Sequence, residues 1–110
     1  SDPKEKLLAI FDHHAARQKM AGFGGCVFIK ANEEAGMSDP RVLSEIQRAK
    51  RHLKDFIAEL VAGSGHKKLL NDEELTETLF LMVEGGVVEA AIFKDTRNLE
   101  AAREIIRKLI

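Results

Sequence analysis

NDEELTETLFLMVEGGVVEAAIF, residues 71–93, reads as a helix with two apolar sides. Asn71 or Asp72 supplies the N-cap, and Asp72, Glu73 and Glu74 place negative charge at the positive end of the helix dipole. At about 100° per residue, Leu79, Met82, Val83, Ala90 and Phe93 cover one arc, and Leu81, Val88 and Ile92 cover the opposite one. A helix apolar nearly all round has to be covered on both sides. Gly85 and Gly86 cost the helix roughly 1 kcal/mol each relative to alanine, a cost that close approach of two backbones would explain. Glu84 and Glu89 interrupt the apolar run, either as rim residues or as intersubunit partners for Arg97, Arg103 or Arg107.

Residues 97–110 return to simple amphipathicity, with Leu99, Ala102, Ile105, Ile106 and Leu109 on one face. A chain of 110 residues has few other helices to cover the second side of 71–93. The simplest solution is a symmetric dimer in which 71–93 and 97–110 pack on their copies as an intersubunit four-helix bundle. Leu81, Gly85, Val88, Ile92, Ile105, Ile106 and Leu109 are the expected interface. The alternative is a monomeric bundle that covers both sides internally.

Toward the N-terminus, Asp39-Pro40 is a cap followed by a helix-starting proline, and the helix it opens should run to about Ala62 before Gly63-Ser64-Gly65 stops it. Val42, Ile46, Ala49, Leu53, Ile57 and Leu60 form its buried stripe, with Arg41, Arg48, Arg51, Asp55 and Glu59 toward solvent. His66, Lys67 and Lys68 read as a solvated turn. Asp2, Pro3 and Glu5 open a first helix reaching about Met20, with Leu7, Leu8, Ile10, Phe11 and Ala15 on one face and His14 and Gln18 inside that apolar arc. Between these two helices lies GFGGCVFIKANEEAGMSDPRV, residues 22–42: a glycine-rich turn and a short helix from Cys26 to Glu34 ended near Gly36. The expected fold is therefore all-α, a five-helix, bundle-like single domain over 1–110.

Gly25, Cys26, Phe28, Ile29, Asp39 and Pro40 form a Gly-Cys-x-Phe-Ile run followed by Asp-Pro. This resembles the mid-region of the C-terminal regulatory domain of TetR-family transcriptional repressors, and the order of helices extends the resemblance over nearly the whole chain. The resemblance implies an effector pocket between helical layers, a dimer made by the last two helices, and an N-terminal helix-turn-helix that is not part of this chain. DNA would then be a partner only through that absent domain. Repression by a TetR-like regulator is what the resemblance implies, not what the residues spell out. The alternative is a standalone helical dimerisation scaffold or small-molecule binding module with no DNA-linked role.

Effector pockets in helical domains lie between helices and are mostly apolar with a few oriented polar groups. Phe11, His14 and Gln18 offer that mixture on the first helix. Phe28, Asn32, Ile57, Thr78 and Met82 are expected across from them. Each singly also reads as ordinary core: a histidine on an apolar face is commonly a satisfied core residue, and Phe and Met at helical spacing pack. With no basic cluster on the buried arcs, the expected ligand is a small apolar or weakly polar molecule.

Composition narrows the rest. Apolar residues make up 45% and charged residues 32%, with no Trp or Tyr, which argues against an all-β fold. A net charge of −1 lacks the cationic excess of an autonomous phosphate-backbone binder. The single cysteine, Cys26, excludes an intrachain disulfide and fits a reducing cytoplasm, and no apolar run is long enough to span a bilayer. Cytoplasmic localisation without membrane association is the expectation. Cys26 after two glycines is the sole enzymatic lead, and without triad spacing, P-loop or dinucleotide fingerprint no catalytic residue is assigned. His13 and His14 point about 100° apart on a helix and cannot chelate one ion as an i, i+4 pair would, so no metal or cofactor is assigned either.

Overall fold

The computed structural model describes residues 2–20, 22 and 38–110. The described residues form four helices: α1 (Pro3–Met20), α2 (Pro40–Gly63), α3 (Asp72–Phe93) and α4 (Arg97–Leu109). The expected short helix at 26–34 lies outside the described residues and is not part of this count.

Side-chain caps set the starts of α1, α2 and α3, whereas the N-cap residue of α4, Thr96, makes no such bond. Asp2 Oδ1 accepts the Lys4 N–H at 2.9 Å, and Asp39 Oδ1 accepts the Arg41 N–H at 2.9 Å with Pro40 in the first turn of α2. At α3 the cap is Asn71, in a full capping box: its Oδ1 takes the Glu74 N–H at 2.8 Å, and Glu74 Oε1 takes the Asn71 N–H at 2.9 Å. The ends are as local. Ser64 Oγ donates to the Val61 carbonyl at 2.8 Å and Gly65 turns the chain at φ +62°, while Lys94 closes α3 at φ 57°.

α1 packs against all three other helices, α2 against α3, and α3 against α4. The Lys50–Glu84 and Lys54–Glu77 ion pairs show α2 and α3 running antiparallel, and Arg103 Nε lies 3.0 Å from Asp12 Oδ1 between α4 and α1. Leu7, Phe11, Ile57, Leu75, Leu79, Val83, Leu99 and Ile106 sit at the centre, nearly without solvent exposure. Exclusion of this apolar surface from water is the main stabilising contribution, with the surface ion pairs worth little each.

Several details of the expected pattern are corrected. Ala49 is exposed and Val61 is buried: at about 100° per residue the two lie on opposite edges of the arc centred on Ile46 and Ile57, and only the Val61 edge is covered. Phe93, at the last turn of α3, is exposed instead of inward, since the chain leaves the core there through Lys94. The turn after α2 is not simply solvated: His66 is buried. Its Nδ1 accepts the Lys68 N–H at 3.2 Å, so Nε2 carries the proton and donates to Asp72 Oδ1 at 2.7 Å. That bond is the chief reason the Asp72 carboxyl titrates below its ordinary range.

Candidate functional site

Where α1, α2 and α3 converge, polar groups interrupt the apolar packing. His14 lies half-buried on α1, and burial pushes its pKa below 6.5, with His13 and Arg17 acting in the same direction. Glu84 on α3 and Lys50 on α2 are also close enough to act on the ring, Glu84 raising its pKa and Lys50 lowering it. Lys50 Nζ donates to Glu84 Oε2 at 2.6 Å, a part-buried bond that ties α2 to α3 beside His14. One turn along α1, Gln18 is 7% exposed, and its Oε1 has no hydrogen-bond partner among the described residues. A buried amide oxygen without a donor is uncommon in native proteins and calls for an explanation.

The expected pocket residues divide accordingly. His14 belongs to this cluster, and Gln18 lies buried one turn along α1 from it. Phe11 and Ile57 do not line an opening: they are 1% and 0% exposed in the core, so neither offers surface to a ligand in this conformation. Thr78 is half-buried, and its hydroxyl is committed to the Glu74 carbonyl at 2.8 Å within α3. Met82 is half-buried and packs against the core. Phe28 and Asn32 lie outside the described residues. Lys50 and Glu84 were missed, though Lys50 occupies the stripe Ile46, Lys50, Leu53, Ile57 and Glu84 stands in an apolar run. A charge at a core register position was the signal. Glu84 is satisfied within the chain, and Arg97, Arg103 and Arg107 pair with Asp95, Asp12 and Glu104, so none of these arginines needs Glu84 from a second copy.

On the far side of α3 lies a surface of another kind. Leu81, Gly85 and Ile92 are exposed and Val88 is half-buried, a stripe spaced four, three and four residues apart on one face of α3; on α4, Ile105 is exposed and Leu109 half-buried. Leu81 and Ile92, on one face of α3, are 58% and 62% exposed, and Ile105 of α4 is 56% exposed, unusual for large apolar side chains. Ile106 does not belong to this stripe. It is fully buried in the core, because a residue next to Ile105 points about 100° away from it. The two glycines divide as well: a Cβ at Gly86 would lie 2.6 Å from Leu99 Cδ2, whereas one at Gly85 would meet nothing within 4 Å.

Comparison with family models matches residues 3–106 to the tetracyclin repressor-like, C-terminal domain. The chain belongs to this family. That agrees with the all-helical architecture and with the resemblance carried by Gly25, Cys26, Phe28, Ile29, Asp39 and Pro40. Neither the comparison with curated proteins nor the comparison with solved structures gave a match. As a tetracyclin repressor-like C-terminal domain, the chain is of a regulatory kind, and no described helix is long and apolar enough to cross a membrane. Among the described residues, no group of three His, Cys, Asp or Glu side chains is placed to hold a metal ion.

Proposed function

We propose that this chain is the effector-sensing and dimerising part of a TetR-like transcriptional repressor that works in the cytoplasm without catalysing a reaction. DNA would be reached only through a helix-turn-helix outside these 110 residues. The observation that carries the reading is the apolar stripe of Leu81, Gly85, Val88 and Ile92 along α3, left uncovered, with Ile105 of α4 also exposed, on a chain of this family. A second copy covers it by a two-fold axis, since each stripe is its own complement, and α3 and α4 of both chains then form a four-helix bundle. A small apolar or weakly polar effector bound beside His14 and Gln18 would contact α1, α2 and α3 together. It would bias how those helices sit against the dimerising pair.

The test is thermal unfolding with a panel of neutral small molecules, because a ligand that binds only the folded state raises the midpoint by mass action. A saturable rise that disappears in His14→Ala supports the sensing role. One observation favours a ligand-free scaffold instead: Phe11 and Ile57, expected to line a pocket, are closed into the core. A dimer whose midpoint no compound moves would establish that second reading.

A further inference from the structure

Away from the His14 cluster, the C-terminal half of α2 and the first turns of α3 form an open groove of about 350 Å³, lined by Lys54, Ala58, Asp72, Glu73, Thr76 and Glu77. One water takes up roughly 30 Å³, so the groove has room for an organic molecule. Thr76 is only 7% exposed, yet it lines the groove, and its hydroxyl makes no hydrogen bond among the described residues. Its oxygen also retains access to solvent, unlike Gln18 Oε1. Two residues on, the Thr78 hydroxyl is instead committed to the Glu74 carbonyl within the helix. A mostly buried hydroxyl left open toward a groove can accept a ligand's donor. Charge then sets the sign. Lys54 is ion-paired with Glu77 and lies 5.5 Å from the Phe80 ring centroid, and Lys68 reaches Asp72 Oδ1 at 3.6 Å. Counting both pairs as neutral leaves Glu73, which has no ion pair or hydrogen bond among the described residues, as a negative charge in excess. The positive end of the α3 dipole offsets about half of that charge. An anion would be repelled, a neutral molecule would leave Glu73 unanswered, and no three His, Cys, Asp or Glu side chains among the described residues are placed to hold a metal ion. We propose that this groove is a second ligand site, taking an organic monocation whose primary ammonium sits between Glu73 and the Thr76 hydroxyl and whose apolar stem rests on Ala58.

The test titrates matched probes into the whole chain while the backbone amides of Ala58, Glu73 and Thr76 are followed by NMR. Phenethylammonium carries charge and donors, its N-trimethyl form keeps the charge without a donor, and phenethyl alcohol has no charge. Affinity should fall in that order, with roughly fivefold between first and last, the upper end for an exposed ion pair, and the difference should shrink as salt is added. In Glu73→Gln, at an exposed position, the ammonium and the alcohol should bind alike. In Thr76→Val, which keeps the shape and removes the hydroxyl, the primary ammonium should lose its advantage over the trimethyl form. Nα-acetyl-lysine amide identifies the source of the cation: binding tighter than phenethylammonium assigns the groove to a polypeptide lysine, and weaker binding to a free amine. Alcohol binding as tightly as the ammonium in the parent chain would overturn the cationic assignment. Equal affinity for the primary and trimethyl forms would overturn the bond to Thr76. Shifts gathered around His14 instead of Thr76, or no shift with any probe, would overturn the site itself.

Discussion

Gly85 and Gly86 are adjacent in α3 and face opposite surroundings. Gly86 lies beneath Leu99, which is 1% exposed, so α4 approaches α3 closely only because no side chain intervenes. Gly85 opens onto empty space beside Leu81, Val88 and Ile92. The same helix therefore has an inner side completed by its own chain, with Leu79, Val83, Gly86 and Ala90 buried, and an outer side that nothing among the described residues completes. The contrast separates two roles that residue type alone does not. Apolar residues of the inner side hold the protomer together, while those of the outer side contribute little to it and, on the proposed reading, face a partner.

Substitutions that act on one side only test that contrast. The largest effect is expected from Ile92→Arg, which leaves an exposed position of the protomer folded but buries an uncompensated charge at the proposed seam. At on the order of 3–5 kcal/mol, dimerisation should weaken by more than about a hundredfold, read by sedimentation of the variant. A variant that associates as the parent does would remove α3's outer side from the interface. Next is Leu79→Ala on the inner side, where loss of buried side-chain volume should cost about 2–5 kcal/mol in denaturant unfolding. Leu81→Ala, two residues on, should leave protomer stability within about 0.5 kcal/mol.

The glycines carry the same contrast to a smaller scale. Gly86→Ala should destabilise by about 1 kcal/mol net, because the clash with a packed Leu99 outweighs the helix-propensity gain. Gly85→Ala should stabilise a dissociated protomer by roughly 0.5–1 kcal/mol and weaken association where backbones approach. Opposite signs in chemical denaturation are the expected outcome, and equal signs would dissolve the distinction. The smallest effect concerns pH. The His14 pKa is lowered on folding, so the folded state binds fewer protons than the unfolded one around the ordinary value. This stability is present above pH 6.5 and is lost as pH falls below it. His14→Gln should flatten that part of the stability profile, leaving the acid limb set by carboxylates such as Asp72, whose depressed pKa places its loss at lower pH.

How much of this was legible in the sequence depends on which forces are local. Asp2, Asp39 and Asn71 announced the helix starts and Gly63 to Gly65 a stop, because caps and left-handed turns depend on neighbours within about four residues. The two-sided character of α3 was legible for the same reason: period and composition are properties of the segment. Which half of a wide apolar arc turns inward is a tertiary matter, so Ile105 and Ile106 were grouped together although one faces out and the other is fully buried. His66 carries no periodic signal in its turn, and its burial comes with the bond to Asp72 at the start of the next helix. At the candidate site, His14 and Gln18 stood out as polar residues in an apolar arc. Phe11 and Ile57 could not be told from core, because the same residue types line pockets and fill interiors. Lys50 and Glu84 needed the antiparallel pairing of α2 and α3 to be brought together.

The outer side of α3 is the decisive surface, and sedimentation equilibrium of the chain across a concentration series shows whether it is covered. The prediction is a species of twice the 12.2 kDa chain mass that reverts to a single chain in Ile92→Arg. A parent protein that stays at the mass of one chain over the whole series, with Leu81, Ile92 and Ile105 still exposed to solvent, would contradict it.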